Sequence, residues 1–211
     1  MVLMKYIRSI VAVSLFILGG AITAMAIEEA PYTVLRTDRM FQLRAYAPHV
    51  LAETIVDGDL EEAGNKSFNV LFRYITGANH SRGKIAMTAP VAQERRREKI
   101  AMTAPVSQER IQGKWAVSFM MPASCTLETL PVPDDPGVVL RQVPRQQVAA
   151  VRYSGLWSEK KYLLNKEKLE AWIRKNGWTV AGEPIWARYN PPFTPWFMRR
   201  NEVLIPVVQS P

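Results

Sequence analysis

The chain has 211 residues, 48% of them apolar, and its 27 basic and 19 acidic side chains give a formal charge of +8. A length of this order suits one globular domain with an ample core. The single cysteine, Cys125, excludes an internal disulfide, so packing must stabilise the fold.

Residues 1–26 have the pattern of an export signal. Lys5 and Arg8 give a basic start, and residues 10–22 form an apolar stretch without charge. Ala24-Met25-Ala26 then supplies the small-x-small pattern that signal peptidase recognises. We therefore expect these residues to be a signal peptide.

Cleavage before Ile27 would leave residues 27–211 as one domain in the periplasm or outside the cell. The alternative is an uncleaved inner-membrane anchor over residues 9–27, which is almost as long as the ~20 apolar residues that span a bilayer. Loss of the leader removes two basic and no acidic side chains, so the charge falls from +8 to +6. An exported protein does not meet the genome, so we expect no nucleic-acid partner. An anionic small molecule is expected instead, with membrane association through the N-terminal segment.

Two strands and a helix are predicted early in this domain. Tyr32–Leu35 and Phe41–Tyr46 are rich in β-forming residues and partly alternate. Asp59 is placed to cap a helix, and Gly77 is placed to end it. The helix carries an apolar stripe at three- and four-residue spacing, formed by Leu60, Ala63, Ser67, Phe68, Leu71, Phe72 and Ile75.

A similar layout follows later in the chain. Val148–Tyr153 is a predicted strand, Ser158 is placed to cap a helix, and Gly177 is placed to end it. This recurrence predicts two equivalent halves that share one sheet and contribute one helix each. With further strands at Trp115–Met121 and Glu202–Val208, we predict an α+β fold with a mostly antiparallel sheet.

The octapeptide KIAMTAPV occurs twice, at residues 84–91 and 99–106. The period of 15 residues is odd, so in one continuous strand the second copy would face the opposite side of the sheet. We therefore predict that one copy is a core strand and the other a more exposed hairpin arm. The charged run at residues 95–98 would form a solvated loop between them.

Five segments in chain order resemble the SOUL haem-binding family: Phe72–Asn79, Lys84–Val91, Phe119–Pro122, Tyr189–Pro191 and Arg199–Val203. The resemblance implies a twisted, β-barrel-like sheet with two helices and two similar halves. It also implies non-covalent binding of haem or another tetrapyrrole in an apolar groove, with no established catalysis. The same fold is similar to sensor domains of the GyrI-like kind, so the fold alone does not identify the ligand.

The implied ligand has two flat apolar faces. Such faces call for a groove lined by aliphatic, methionine and aromatic side chains. We expect Phe68, Phe72 and Met87 to contribute to a groove beside the first helix. For any single one of the three, an ordinary core position is the favoured alternative.

The propionates of a tetrapyrrole call for cations, and arginine binds a carboxylate through two parallel hydrogen bonds. The resemblance places a groove-facing basic residue at Arg73. The alternative is that Arg73 only stabilises the helix C-terminus. Arg199 and Arg200 are further candidates, although Asn201 and Glu202 beside them could be their structural partners. Thr194 stands where some family members carry a basic residue, so a second anchor of that type is not expected.

Iron would need an axial ligand, and imidazole is a common one. The chain has only two histidines, His49 after Pro48 and His80 in a polar stretch that we expect to be a turn. Without axial ligation, metal-free porphyrin should bind about as well as haem. A Cys-x-x-Cys-His motif is absent, which excludes covalent attachment. Haem would thus be a non-covalent cofactor that folding does not require.

Three functional hypotheses follow. The first is a tetrapyrrole carrier or buffer in the cell envelope. The second is a binding module for another amphipathic anion, and the third is a hydrolase or other enzyme on the same scaffold. The sequence contains no nucleophile elbow, zinc-protease motif or nucleotide-binding loop, so we predict a non-enzymatic protein. The oligomeric state is not indicated.

Overall fold

The computed structural model describes residues 27–82 and 97–210. This part of the chain contains two α-helices, α1 (Leu60–Ile75) and α2 (Glu159–Lys175), and a 3₁₀ turn at Trp196–Met198. It also contains strands β1 (Glu28–Glu29), β2 (Tyr32–Asp38), β3 (Phe41–Tyr46), β4 (His49–Val56), β5 (Asn79–His80), β6 (Thr103–Ala104), β7 (Val106–Ile111), β8 (Lys114–Met120), β9 (Val132–Pro133), β10 (Val139–Val143), β11 (Gln146–Tyr153), β12 (Trp178–Val180), β13 (Ile185–Arg188) and β14 (Asn201–Gln209).

The two predicted helices form where the capping signals place them. The carboxylate of Asp59 accepts hydrogen bonds from two first-turn amides of α1, at 3.0 and 2.8 Å. Gly77 follows α1 with a φ of 122°, a conformation that favours glycine. α2 begins directly after Ser158, as predicted, but the Ser158 hydroxyl makes no capping bond. The predicted side-chain cap of α2 is therefore wrong, while its start is confirmed.

Ten strands form one large sheet, in the order β10-β4-β8-β7-β13-β14-β11-β3-β2, with β12 also paired to β14. All of these pairs are antiparallel. The prediction of an α+β fold with two helices and a mostly antiparallel sheet is confirmed. The barrel-like closure is wrong, because the two end strands, β10 and β2, do not pair with each other.

Both helices cover the same face of the sheet. α1 packs against β4 and β8, and α2 packs against β11, β12 and β14. One buried cluster joins Leu60 of α1 to Leu169 and Trp172 of α2. The opposite face of the sheet carries its own cluster, which includes Tyr46 and Leu204.

β8 is buried on both faces. Val117 and Phe119 join a cluster beneath α1. Met120 points the other way and joins the cluster on the far face. The second face is buried because β6 packs against β8, and Ala30 and Ala104 join the same cluster as Met120.

The segment from Tyr32 to Val56 forms three strands, where only two were predicted. β2 and β3 contain the two predicted segments. The missed strand, β4, begins at His49 immediately after Pro48. Pro48 has no backbone N–H to donate. It precedes the first paired residue of β4, so the sheet needs no hydrogen bond from it.

Each helix follows a long strand and packs back onto it, α1 on β4 and α2 on β11. This agrees with the recurring layout in the sequence. The structural equivalence of the two halves stays a prediction.

The second octapeptide copy lies in the folded domain. Thr103 and Ala104 are buried and form β6, which pairs with β1, and Val106 begins β7. The first copy, with Met87, and the leader lie outside the described residues. The division into a core copy and an exposed copy therefore stays a prediction.

Candidate functional site

The outer face of α1 carries two exposed phenylalanines. Leu60, Leu71 and other members of the predicted apolar stripe are buried, whereas Phe68 and Phe72 are 36% and 42% exposed at its edge. Their rings stack with 5.8 Å between centroids and 12° between planes. Phe68 also contacts buried Phe119 of β8 edge-on. The pair forms a flat apolar surface that is anchored to the sheet and open to solvent.

A polar cavity of about 410 Å³ lies at the carboxyl end of α1. Three cations, Arg73, Arg97 and Lys99, line it, together with the acids Glu98 and Asp134. Thr76, which lines the cavity, lies one helical turn beyond Phe72 and its hydroxyl donates to the Phe72 carbonyl, so the aromatic surface lies next to the cavity. The site therefore combines a flat apolar face with positive charge at one end.

Arg73 does not point into an apolar groove. Its side chain is 66% exposed, and its Nη2 lies 3.6 Å from Oδ2 of Asp135. Such an exposed pair contributes little because water screens both charges. The prediction of an apolar groove beside α1 is therefore wrong: an open aromatic surface lies there, next to a polar cavity. The Arg73 guanidinium can exchange Asp135 for another carboxylate.

His80 is the histidine on this side of the molecule. Its Nδ1 lies 2.8 Å from Oδ1 of Asp134, which lines the cavity. A carboxylate oxygen accepts, so Nδ1 of His80 donates to it, and in the neutral ring the lone pair is on Nε2. Metal-binding histidines are commonly oriented by a carboxylate in this way. The polar stretch around His80, expected to be a turn, instead forms β5, which pairs with β9.

His49 lies at a different cavity, on the sheet face opposite the helices. Its Nδ1 donates to the carbonyl oxygen of Ala47, 2.9 Å away. Burial lowers the pKa of His49 below its ordinary value, so the ring is neutral near pH 7. The two predicted metal ligands are therefore not brought together.

The cavity beside His49 has a volume of about 180 Å³. Arg141 and Glu109 line it, with Nη2 of Arg141 lying 3.2 Å from Oε1 of Glu109. Burial raises the pKa of Glu109, and Arg141 opposes that shift. Pockets for drug-sized ligands typically measure roughly 300–1,000 Å³, so this cavity is too small to enclose a tetrapyrrole.

Arg199 and Arg200 lie apart from Arg73, beside a third cavity. Arg200 donates to Glu29 and Glu202 at 2.7 and 3.0 Å, which confirms Glu202 as its structural partner. Arg199 instead donates to backbone carbonyls of its own loop. Neither residue adjoins the surface formed by the phenylalanines.

Sequence reasoning missed several charged residues. Arg97 was assigned to a solvated loop, yet it lines the cavity beside Arg73. Arg44 of β3 was not singled out, yet it is buried against Glu202 of β14. The charged run at residues 95–98 was the available signal for Arg97. No local pattern links Arg44 to Glu202, because the two lie far apart in the chain.

Residues 27–82 and 97–210 offer neither a metal-binding cluster nor a membrane-spanning helix. No group of three or more His, Cys, Asp or Glu side chains there could hold a metal ion. No helix in the same ranges has the length and apolar character needed to cross a bilayer.

The sequence model of the SOUL haem-binding protein family matches residues 27–206. The chain belongs to this family. The SOUL family is a family of binding proteins and not of enzymes, in agreement with the prediction from the sequence. No curated protein sequence matches the chain significantly.

The SOUL fold of this chain is similar to several solved structures. The EcmrR C-terminal domain superposes with a TM-score of 0.55 at 12% identity, over 84% of this chain and 98% of that one. A hydrolase from Listeria innocua superposes with a TM-score of 0.52 at 10% identity, over 82% and 94% of the two chains. At these identities the likeness shows the fold alone.

Proposed function

We propose that this SOUL protein binds haem or a related tetrapyrrole non-covalently on the outer face of α1. We also propose that it acts as a carrier or buffer in the cell envelope. The observation that carries this proposal is the exposed stack of Phe68 and Phe72, followed directly by Arg73 and its cation-lined cavity. Exposed apolar patches rimmed by polar groups commonly mark binding sites.

The residues at this surface fit the chemical parts of a tetrapyrrole. The phenyl rings offer a flat partner for one macrocycle face. Arg73, Arg97 and Lys99 would hold the propionates, since charge-assisted bonds to carboxylates are strong. The 180 Å³ cavity on the opposite face does not fit the same ligand. We therefore place the ligand on the α1 side.

Haem would supply an iron with open axial positions, and His80 is the residue we expect to face it. Asp134 accepts from Nδ1 of His80, which fixes the ring and keeps the Nε2 lone pair for a metal. His49 has the same available nitrogen but lies at the small cavity on the other face. Only His80 shares a hydrogen-bond partner with the proposed site.

Titration of the purified protein with haemin and with protoporphyrin tests the proposal. Saturable absorbance changes are expected for both ligands, because both offer the same faces and carboxylates. If neither ligand gives a saturable change, the tetrapyrrole proposal is rejected.

We expect His80→Ala to change the absorption spectrum of bound haemin and to weaken haemin binding roughly tenfold, an effect typical of lost metal or second-shell contacts. Protoporphyrin affinity should stay unchanged, because that ligand has no iron. The matched control, His49→Ala, should leave both ligands unaffected. A spectral change in His49→Ala alone would place the ligand on the opposite face of the sheet.

The second candidate is a binding module for another amphipathic anion. It is supported by the polar walls of the cavity at Arg73, which suit an anionic group better than a buried macrocycle. Thermal-shift measurements with haemin and with flat aromatic acids separate the two candidates. Stabilisation by the acids alone would favour the second.

A further inference from the structure

The proline-rich loop between β13 and β14 presents four large apolar side chains to solvent. Phe193, Trp196, Phe197 and Met198 are 86%, 57%, 61% and 65% exposed. We call Phe193–Met198 the apolar loop. Single exposed apolar side chains are normal on soluble proteins, but four within six residues form a patch of the kind that binds a partner.

The backbone of the apolar loop is held by hydrogen bonds. The amide of Thr194 donates to Pro191, and the amide of Met198 donates to Pro195. Nε of Arg199 donates to the carbonyl of Thr194 at 2.7 Å. The apolar side chains are therefore presented to solvent by an ordered turn.

A cavity of about 620 Å³ adjoins the apolar loop, and Phe197 and Met198 form part of its wall. Its lining includes five cations and one acid, namely Arg39, Arg44, Arg152, Arg199, Arg200 and Glu202. Arg44 and Arg200 are paired with glutamates. Across the described ranges, no carboxylate lies at ion-pair distance from the other three arginines. The cavity thus keeps uncompensated positive charge beside an apolar patch.

We infer that the apolar loop and the arginine-lined cavity form one docking surface for an anionic phospholipid bilayer. The loop inserts among the headgroups, and a lipid phosphate enters the cavity at Arg39 and Arg152. This surface is separate from the Phe68–Phe72 face of α1. The inference does not depend on tetrapyrrole binding.

The chemistry of this surface matches a bilayer in two independent respects. Aromatic rings are enriched at the membrane–water interface, where Trp196 and its neighbours would lie. Clustered basic side chains are attracted to anionic lipids, and guanidinium groups bind phosphate oxygens through paired hydrogen bonds. A protein partner would need complementary acids to enter the cavity, whereas every anionic phospholipid carries a phosphate.

A probe on the loop itself tests this inference in the full-length protein. Phe193→Cys, in a Cys125→Ser background, would carry a nitrobenzoxadiazole label that brightens and shifts to the blue on leaving water. Vesicles that contain phosphatidylglycerol should produce this change, and vesicles of phosphatidylcholine alone should not. High salt should reverse it, because salt screens the arginines. Because the label is attached to the apolar loop, its signal reports insertion of that loop even if another segment also binds the protein to the vesicle.

Paired variants identify the groups responsible. Arg39→Gln/Arg152→Gln should raise the phosphatidylglycerol vesicle concentration needed for half of the change by roughly 25-fold, at about fivefold for each arginine. Lys160→Gln/Lys168→Gln on exposed positions of α2 makes the same change in net charge and should have little effect. Trp196→Ser/Phe197→Ser should reduce the change at least as strongly as the arginine variant.

Four outcomes would overturn the inference. The first is a label whose spectrum does not respond to phosphatidylglycerol vesicles, and the second is an equal loss of the spectral change in the arginine and lysine variants. The third is reversal of the change by millimolar inorganic phosphate as complete as the reversal by high salt. The fourth is a blue shift that grows with protein concentration when no vesicles are present. The third would mean that the cavity takes soluble anions, and the fourth that the patch joins two copies of the chain.

Discussion

Glu202→Gln is expected to lower the free energy of unfolding by about 3–5 kcal/mol, the range for breaking one side of a buried ion pair. Glu202 is fully buried on β14. It accepts from Arg44 at 2.6 and 3.0 Å, from the Tyr189 hydroxyl at 2.9 Å and from Arg200 at 3.0 Å. The amide keeps the shape of the side chain but leaves the buried Arg44 guanidinium without a counter-charge.

Urea denaturation at pH 7 measures this loss. The matched control is Glu62→Gln, which removes an exposed glutamate from its pair with Lys66 on α1. Exposed ion pairs of this kind contribute little to stability, so the control should have the same urea midpoint as the wild type. An unchanged urea midpoint for Glu202→Gln would show that the network around Arg44 does not stabilise the fold.

The same substitution should also change how stability depends on pH. Burial alone would raise the pKa of Glu202, but the hydrogen bonds and charges of Arg44 and Arg200 outweigh burial and hold it below its ordinary value of 4.5. The unfolded chain therefore takes up the proton at a higher pH than the folded chain. The stabilisation is complete above pH 4.5 and is lost as pH falls through the folded pKa. The difference in free energy of unfolding between wild type and Glu202→Gln should therefore become smaller as pH falls below 4.5.

The sequence predicted the helices well because their signals are local. Asp59, Gly77 and the apolar spacing between them all lie within one short segment, and α1 forms there. β4 was missed because the segment after Pro48 was not separated from the two strands predicted over Tyr32 to Val56. Local signals locate elements well when caps and periodicity agree.

The features that the sequence could not predict depend on contacts between distant segments. The pairing of Arg44 with Glu202 arises because β3 and β14 both pair with β11. Phe68 is partly exposed because another part of the broad apolar stripe of α1 faces β8. The stripe includes Phe68 and Phe72, yet only the packing of α1 shows that they lie at its open edge. The open sheet also depends on the order of strands, which no single segment encodes.

Phe68→Ser/Phe72→Ser is expected to weaken haemin and protoporphyrin binding by about 30- to 150-fold. The two rings are 36% and 42% exposed, so they offer on the order of 100 Å² of apolar surface to a flat ligand. Covering that surface contributes about 2–3 kcal/mol at roughly 25 cal/mol per Å². Each 1.4 kcal/mol is about tenfold in affinity.

Absorbance titration of each variant measures the effect, and α2 provides the matched control. Leu163→Ser/Leu164→Ser removes two exposed apolar side chains, 49% and 50% exposed, from the other helix. It should leave both affinities unchanged. Equal losses for haemin and protoporphyrin in the phenylalanine variant would indicate a contact with the macrocycle face, because iron is present in only one ligand. Unchanged affinities in that variant, or equal losses in the leucine variant, would remove the ligand from the outer face of α1.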